Sequence, residues 1–357
     1  MRFQTILLLV AGTLSGAPPL VWKASRTAAP PRVDGRLDDA VWTTVAPLSG
    51  LTQYTPLLGV PSGKRTEIRF LYDQAYLYVG ARMHHPTGQA DVVRQVHRRD
   101  QSSASDWFAL FLDSAHDHRT AFSFMVNASN VQRDGVHFED GSEDWSWDGV
   151  WDSAVSVDDD GWSAELRIPL SLLRIHPQAG PQTWGVNVGR RDEGKVREVS
   201  YWYAPLRSEQ AWVSGFHHLE GLEGLNPRPR REWTPYVSTL GTLERAQPGP
   251  SRTWEGRAGL DARLGLNGYS QLDLTVRPDF GQVEVDQAVL NLTTVETFLP
   301  EKRPFFLEGM ELFQLPGPRL FYSRRLGRGL DTSGLEDAPK AQELAGAAKY
   351  TVKTPSG

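Results

Sequence analysis

The stretch FEDGSEDWSWDGVWDS at residues 138–153 sets Trp145, Trp147 and Trp151 among Glu139, Asp140, Glu143, Asp144, Asp148 and Asp152. Two kinds of chemistry suit that mixture. A tryptophan offers a large flat apolar face with a polar N–H at its edge, and such a face can stack on a sugar ring. Several converging carboxylate oxygens can hold calcium, with Asp140, Asp144 and Asp148 as the candidate ligands, although their spacing does not match an EF-hand loop. A plainer reading stands beside both. If Trp151 opens a strand running to Val157, it faces the core of a sandwich, and the loop acids are simply solvated. Trp145 and Trp147 precede that strand and either cover an apolar edge or present a face to a sugar.

Other chemistries find little support. The chain has no cysteine, which excludes thiol catalysis and thiolate-held metal. There is no His-Glu-x-x-His helix motif; His84-His85, His116-x-His118 and His217-His218 lack a matching carboxylate pattern, so surface or packing roles are expected. No Gly-x-Ser-x-Gly elbow and no phosphate-binding glycine loop occur. Glycoside hydrolysis needs two carboxylates held across a cleft, which spacing alone does not establish. A non-catalytic protein is therefore expected; any activity would be hydrolysis of O-glycosyl compounds. With 38 basic against 43 acidic residues, the net charge of −5 argues against nucleic acid as a partner.

The elements that must position these residues read as all-β. Over residues 30–223 short apolar runs alternate with turn-rich stretches, the pattern of a β-sandwich. Residues 66–72 and 76–83 flank a tight Asp73-Gln74-Ala75 connection, and 107–113 and 121–127 form another expected pair. Residues 161–168 place Trp162, Ala164, Leu166 and Ile168 on one face, with Asp158-Asp159-Asp160-Gly161 as the preceding hairpin turn. Residues 224–231, with two prolines and three arginines, read as a stiff linker able to touch anionic lipid headgroups.

Beyond the linker the pattern changes. From Trp254 to Leu266 every even position is apolar or glycine, and every odd position is polar or glycine. Alternation of that length exceeds an ordinary globular strand and suits a membrane barrel strand of about 9–11 residues. A three-residue turn after Leu266 would keep both apolar sets on one face, pairing Leu260 with Leu274 and Ala262 with Leu272. Residues 232–357 therefore read as the first strands of an outer-membrane-type β-barrel, ending before closure. At the other end, residues 1–17 combine Arg2, a short apolar run and Ser15-Gly16-Ala17, the layout of a signal peptide. Export is expected, with the N-terminal domain in the periplasm and the rest in the outer membrane.

Several phrases carry family resemblances. VDGRLDDAVW at 33–42, AYLYV at 75–79 and SDWFALFLD at 105–113 resemble family 9 carbohydrate-binding modules over roughly residues 30–223. That resemblance implies an immunoglobulin-like β-sandwich binding polysaccharide or oligosaccharide, with structural calcium. The second half is similar to a bacterial outer-membrane β-barrel family of unknown function, through RPDFGQVEVD at 277–286, ETFLPEKRPFFLEG at 296–309 and FYSRRLGR at 321–328. Proteins of that family carry a family 9-like sandwich in front, with phrases such as VQRDG at 131–135 and FEDG at 138–141. In the sugar-binding modules one clamp tryptophan falls near Ser103 and a sugar-contacting arginine near Met125, so both are replaced here. The later clamp tryptophan corresponds to Trp212. The resemblance therefore adds Trp212 to Trp145 and Trp147 as carbohydrate-binding candidates.

Overall fold

A computed structural model describes residues 20–85, 91–173, 175, 180–205, 211–225, 227, 229, 231–246, 249–267, 270–278, 304–307, 322–323, 326 and 344–352. Residues 1–19, which include the expected signal peptide, and most of the phrases at 277–286, 296–309 and 321–328 lie outside the described residues, as do residues 226, 228 and 230 of the expected linker.

Two sheets face one another. The larger runs β1 (Val21–Lys23), β14 (His217–Leu222), β12 (Gln182–Asp192), β6 (Trp107–Asp113), β7 (Ala121–Asn127), β8 (Gln132–Phe138) and β9 (Ser142–Asp144). Off this path, β13 (Glu198–Tyr201) pairs with β12 and with β3 (Thr52–Thr55). The smaller sheet runs β10 (Asp152–Asp158), β11 (Gly161–Pro169), β5 (Tyr76–His84), β4 (Thr66–Tyr72) and β2 (Ser25–Arg26). Alternation decides which side chains meet between them. Phe108, Leu110 and Leu112 of β6, Phe124 and Val126 of β7, and Val186 and Val188 of β12 pack against Ile68, Phe70, Val79, Met83, Trp162, Leu166 and Ile168. The expected strands at 66–72, 107–113 and 121–127 form with those bounds, and the 161–168 alternation buries the expected face.

The VDGRLDDAVW phrase lies across the outer side of the smaller sheet. Its last turn is α1 (Ala40–Thr43), which buries Trp42 against Leu71 and Tyr78. Glu165 of β11 gathers the segment: its Oε2 accepts the N–H groups of Asp34 (2.9 Å) and Gly35 (2.8 Å), and its Oε1 accepts Trp42 Nε1–H at 2.7 Å. Gly35 has φ +85°, and a Cβ there would sit 2.5 Å from the Val155 carbonyl carbon. The phrase is thus a clamp on the fold.

A third sheet is built of β15 (Arg231–Ala246), β16 (Gly249–Asn267), β17 (Ser270–Val276) and β18 (Gly346–Val352), in that order. The turn register departs from expectation by two residues: Leu260 faces Val276, Ala262 faces Leu274 and Leu264 faces Leu272, with an irregularity between Gly265 and Asn267. Parity is preserved, so the apolar sets still share a face. That face holds Trp233, Val237, Trp254, Val276 and Tyr350, all exposed, whereas Asp273 and Thr275 on the opposite face are buried. Among the described residues the four strands do not close into a barrel; β15 and β18 are edges.

Candidate functional site

The tryptophan-acid stretch is split by the edge of the larger sheet. Trp145 continues the outward parity of Glu143 in β9. A turn follows, in which Asp144 accepts both the backbone N–H (2.9 Å) and the hydroxyl (2.6 Å) of Ser146. The chain then passes to the inner side. Trp147 is buried with its ring 5.2 Å from Phe122, tucked over Gly149, where a Cβ would lie 2.6 Å from the indole. Trp151 is buried too, edge-on to Phe124, and donates its Nε1–H to Asp134 Oδ2 at 2.7 Å. Trp147 therefore has no free face for a sugar, because the core already occupies it.

Trp145 and Trp212 come together on the outer face instead. Gly135 makes room for Trp145: a Cβ there would lie 2.8 Å from the indole Cε3. The Arg133 guanidinium sits 3.7 Å over the Trp145 ring, a cation–π contact. Trp145 Nε1–H donates to Glu143 Oε2 at 2.8 Å. Trp212 packs edge-on against Phe111, Tyr201 and Phe216. Between the two indoles lies His137, 6.1 Å from Trp145 and 6.3 Å from Trp212 by ring centroids. Met125, where the resemblance expects an arginine, is the direct cross-strand partner of Arg133. An arginine therefore reaches this face from the neighbouring strand. Arg133 and His137 reach Trp145, and Tyr201 reaches Trp212, through strand pairing and packing that the sequence does not display; Glu143, two residues before Trp145, lies beside it by the alternation of β9 alone. Near Ser103, Trp107 donates its Nε1–H to the Ser103 carbonyl at 3.3 Å and is buried, so it does not replace the absent clamp.

The expected calcium ligands do not converge. Asp140, itself at φ 70°, accepts the N–H groups of Trp212 (2.9 Å) and Ser214 (2.8 Å) and the Ser214 hydroxyl, which fixes the Trp212 turn and lowers its pKa. Asp144 caps Ser146, and Asp148 pairs with Arg99 at 3.0 Å. Each carboxylate serves a different local partner, so calcium does not fit this set. Among the described residues, the one group that brings three possible ligand atoms within 4.8 Å is His85, Asp106 and Asp192.

His137 carries a pH-dependent consequence. It is buried with neither ring nitrogen hydrogen-bonded, and burial pulls its pKa from 6.5 down to about 4. The native state keeps the ring neutral while the unfolded chain takes up a proton below pH 6.5, so this contribution to stability is lost as pH falls from 6.5 towards 4. Asp134, pushed up to about 6 chiefly by burial, acts in the opposite sense over an overlapping range. The difference between wild type and His137→Phe isolates the histidine. Denaturant titrations at pH 7 and pH 5 should show the variant gaining about 2 kcal/mol on wild type at the lower pH. An equal gap at both pH values would refute the assignment.

Two facing sheets make a β-sandwich, with Arg133 and a group of aromatics on the outer face of the larger one. Residues 33–212 match the family described as carbohydrate family 9 binding domain-like, just over half of the 357 residues, and the chain belongs to that family. Residues 227–354 match a domain of unknown function, DUF5916. Similar solved structures include a family 9 carbohydrate-binding module from Caldicellulosiruptor kristjanssonii in complex with cellotriose, at 16% identity and TM-score 0.40, covering 58% of this chain and 95% of that one. Another, from the same organism in complex with glucose, has 18% identity and TM-score 0.41, covering 56% and 95%. No curated protein matches the chain.

Proposed function

We propose that this chain is a non-catalytic carbohydrate-binding protein of the cell envelope, serving polysaccharide binding or degradation, with its sugar site around Trp145. The observation carrying the reading is the group of Trp145, Arg133 and Glu143 on an open face. Arg133 Nε has no hydrogen-bond partner but is covered, so it donates to a sugar hydroxyl only once the guanidinium lifts off the Trp145 ring. Trp145 supplies the apolar surface, and Trp212 borders the same face. In this reading residues 1–17 direct export, residues 30–223 stand in the periplasm, and residues 232–357 belong to an outer-membrane barrel joined through 224–231.

A glycan-binding screen on the whole chain tests the sugar site, followed by titration of any positive glycan. Trp145→Ala and Arg133→Ala should each weaken binding about tenfold, the loss of one stacked or charged contact of about 1.4 kcal/mol. Wild-type affinity in both variants would sink this site.

A second reading is an envelope structural or transport protein whose sandwich packs on, or gates, a barrel and binds no sugar. It is favoured by the position of Arg133, whose guanidinium already covers the Trp145 ring where a sugar would stack. A screen in which no glycan binds would select it.

A further inference from the structure

His85 follows β5, Asp106 precedes β6, and Asp192 ends β12, so the group ties the smaller sheet to the larger at one end of the sandwich. All three side chains are fully buried. One oxygen of each carboxylate is anchored by backbone: Asp106 Oδ1 accepts Glu193 N–H at 2.8 Å, and Asp192 Oδ1 accepts Gly194 N–H at 3.1 Å. The other oxygen of each faces the imidazole, with His85 Nε2 3.1 Å from Asp106 Oδ2 and 3.5 Å from Asp192 Oδ2. Despite this proximity, His85 Nε2, His85 Nδ1 and Asp106 Oδ2 make no hydrogen bond. Buried polar atoms left in that state ordinarily have another partner, such as a water or an ion.

Ligand atoms bound at about 2.0–2.1 Å to a tetrahedral ion stand about 3.4 Å apart, close to both separations seen here. We propose that His85, Asp106 and Asp192 form a structural site for a zinc-type divalent cation that clamps the two sheets, with water in the fourth position. The donor set decides the metal. One imidazole nitrogen and two carboxylate oxygens suit zinc, whereas calcium takes six to eight oxygens. Two cations already approach Asp192 Oδ2: Arg190 Nη2 at 3.2 Å and Lys64 Nζ at 3.5 Å. Arg190 is held by the carbonyls of Arg65 and His84 and stays in place. Lys64 is partly exposed and can swing to solvent when an ion enters.

Untagged full-length chain, stripped with chelator, is incubated with zinc chloride or calcium chloride, desalted, and measured for bound metal and melting temperature. One zinc per chain and a rise in melting temperature with zinc alone are expected. His85→Ala and Asp106→Asn should weaken zinc binding at least about 10-fold, the loss that even an outer partner of a metal site costs. His118→Ala removes an exposed histidine of the separate His116, His118 and His218 cluster and should leave binding unchanged. Where the buried variants fail to fold, cobalt(II) added to wild type reports instead: a tetrahedral absorption band is expected, and a weak octahedral band overturns the site. No zinc retained by wild type, or zinc lost in His118→Ala and kept in His85→Ala, overturns it as well.

Discussion

Glu165→Ala should lower the stability of the chain by about 3–5 kcal/mol, among the largest effects a single substitution can have here. One buried carboxylate receives three N–H groups, from Asp34, Gly35 and Trp42. Removing it strands those donors, each at about 1–3 kcal/mol, and leaves a void under Trp42. Burial raises the Glu165 pKa despite these donors, a sign that desolvation of the carboxylate outweighs them. Glu165→Gln keeps one acceptor oxygen but turns an amide N–H towards a remaining donor, so it should fall between alanine and wild type. In thermal unfolding, about 10 °C should separate Glu165→Ala from wild type. An alanine variant within about 1 kcal/mol of wild type would show that the VDGRLDDAVW phrase does not clamp the sandwich.

Leu260→Arg should abolish association with lipid, an effect of about 2–4 kcal/mol if the third sheet is a membrane-facing surface as proposed. The support is an inversion of the usual arrangement. Trp233, Val237 and Trp254 face outward, while Asp273 and Thr275 are buried on the other side. Lys349 pairs with Asp273 at 3.4 Å, and Thr275 donates to Asp261 at 2.6 Å, so the buried side carries polar pairs of its own. Vesicle flotation compares wild type, Leu260→Arg and Thr234→Arg. Thr234 pairs with Asp261 on the polar side and is exposed, so an arginine there should be tolerated. Gly259 does not serve as that control, because a Cβ would lie 2.2 Å from the Tyr236 hydroxyl. A wild-type chain that stays with the soluble fraction, or equal flotation of all three proteins, would remove the membrane reading.

The alternation of Trp162, Ala164, Leu166 and Ile168 determined by itself which side of that strand faces the core between the sheets, because a strand has period two and the apolar set has one place to go; that the opposite side is also covered, with Glu165 buried, only the folded chain shows. The same rule fixed the shared apolar face of β16 and β17, although the turn chose a register two residues away. The VDGRLDDAVW, AYLYV and SDWFALFLD phrases likewise mark the sandwich directly in the chain. What they could not express was contact between strands. Trp145 and Trp147 are two residues apart, yet one lies outside the sheet and the other in its core, because a capped turn carries the chain around the edge between them. Arg133 reaches Trp145 only through the pairing of β8 with β9. Asp140, Asp144 and Asp148 look like one cluster in the chain but are drawn to separate local donors. His85, Asp106 and Asp192 look unrelated, and meet because the ends of three strands from two sheets do. Period and composition are local properties that a sequence displays directly; convergence of side chains depends on register and sheet order, which only the folded chain decides.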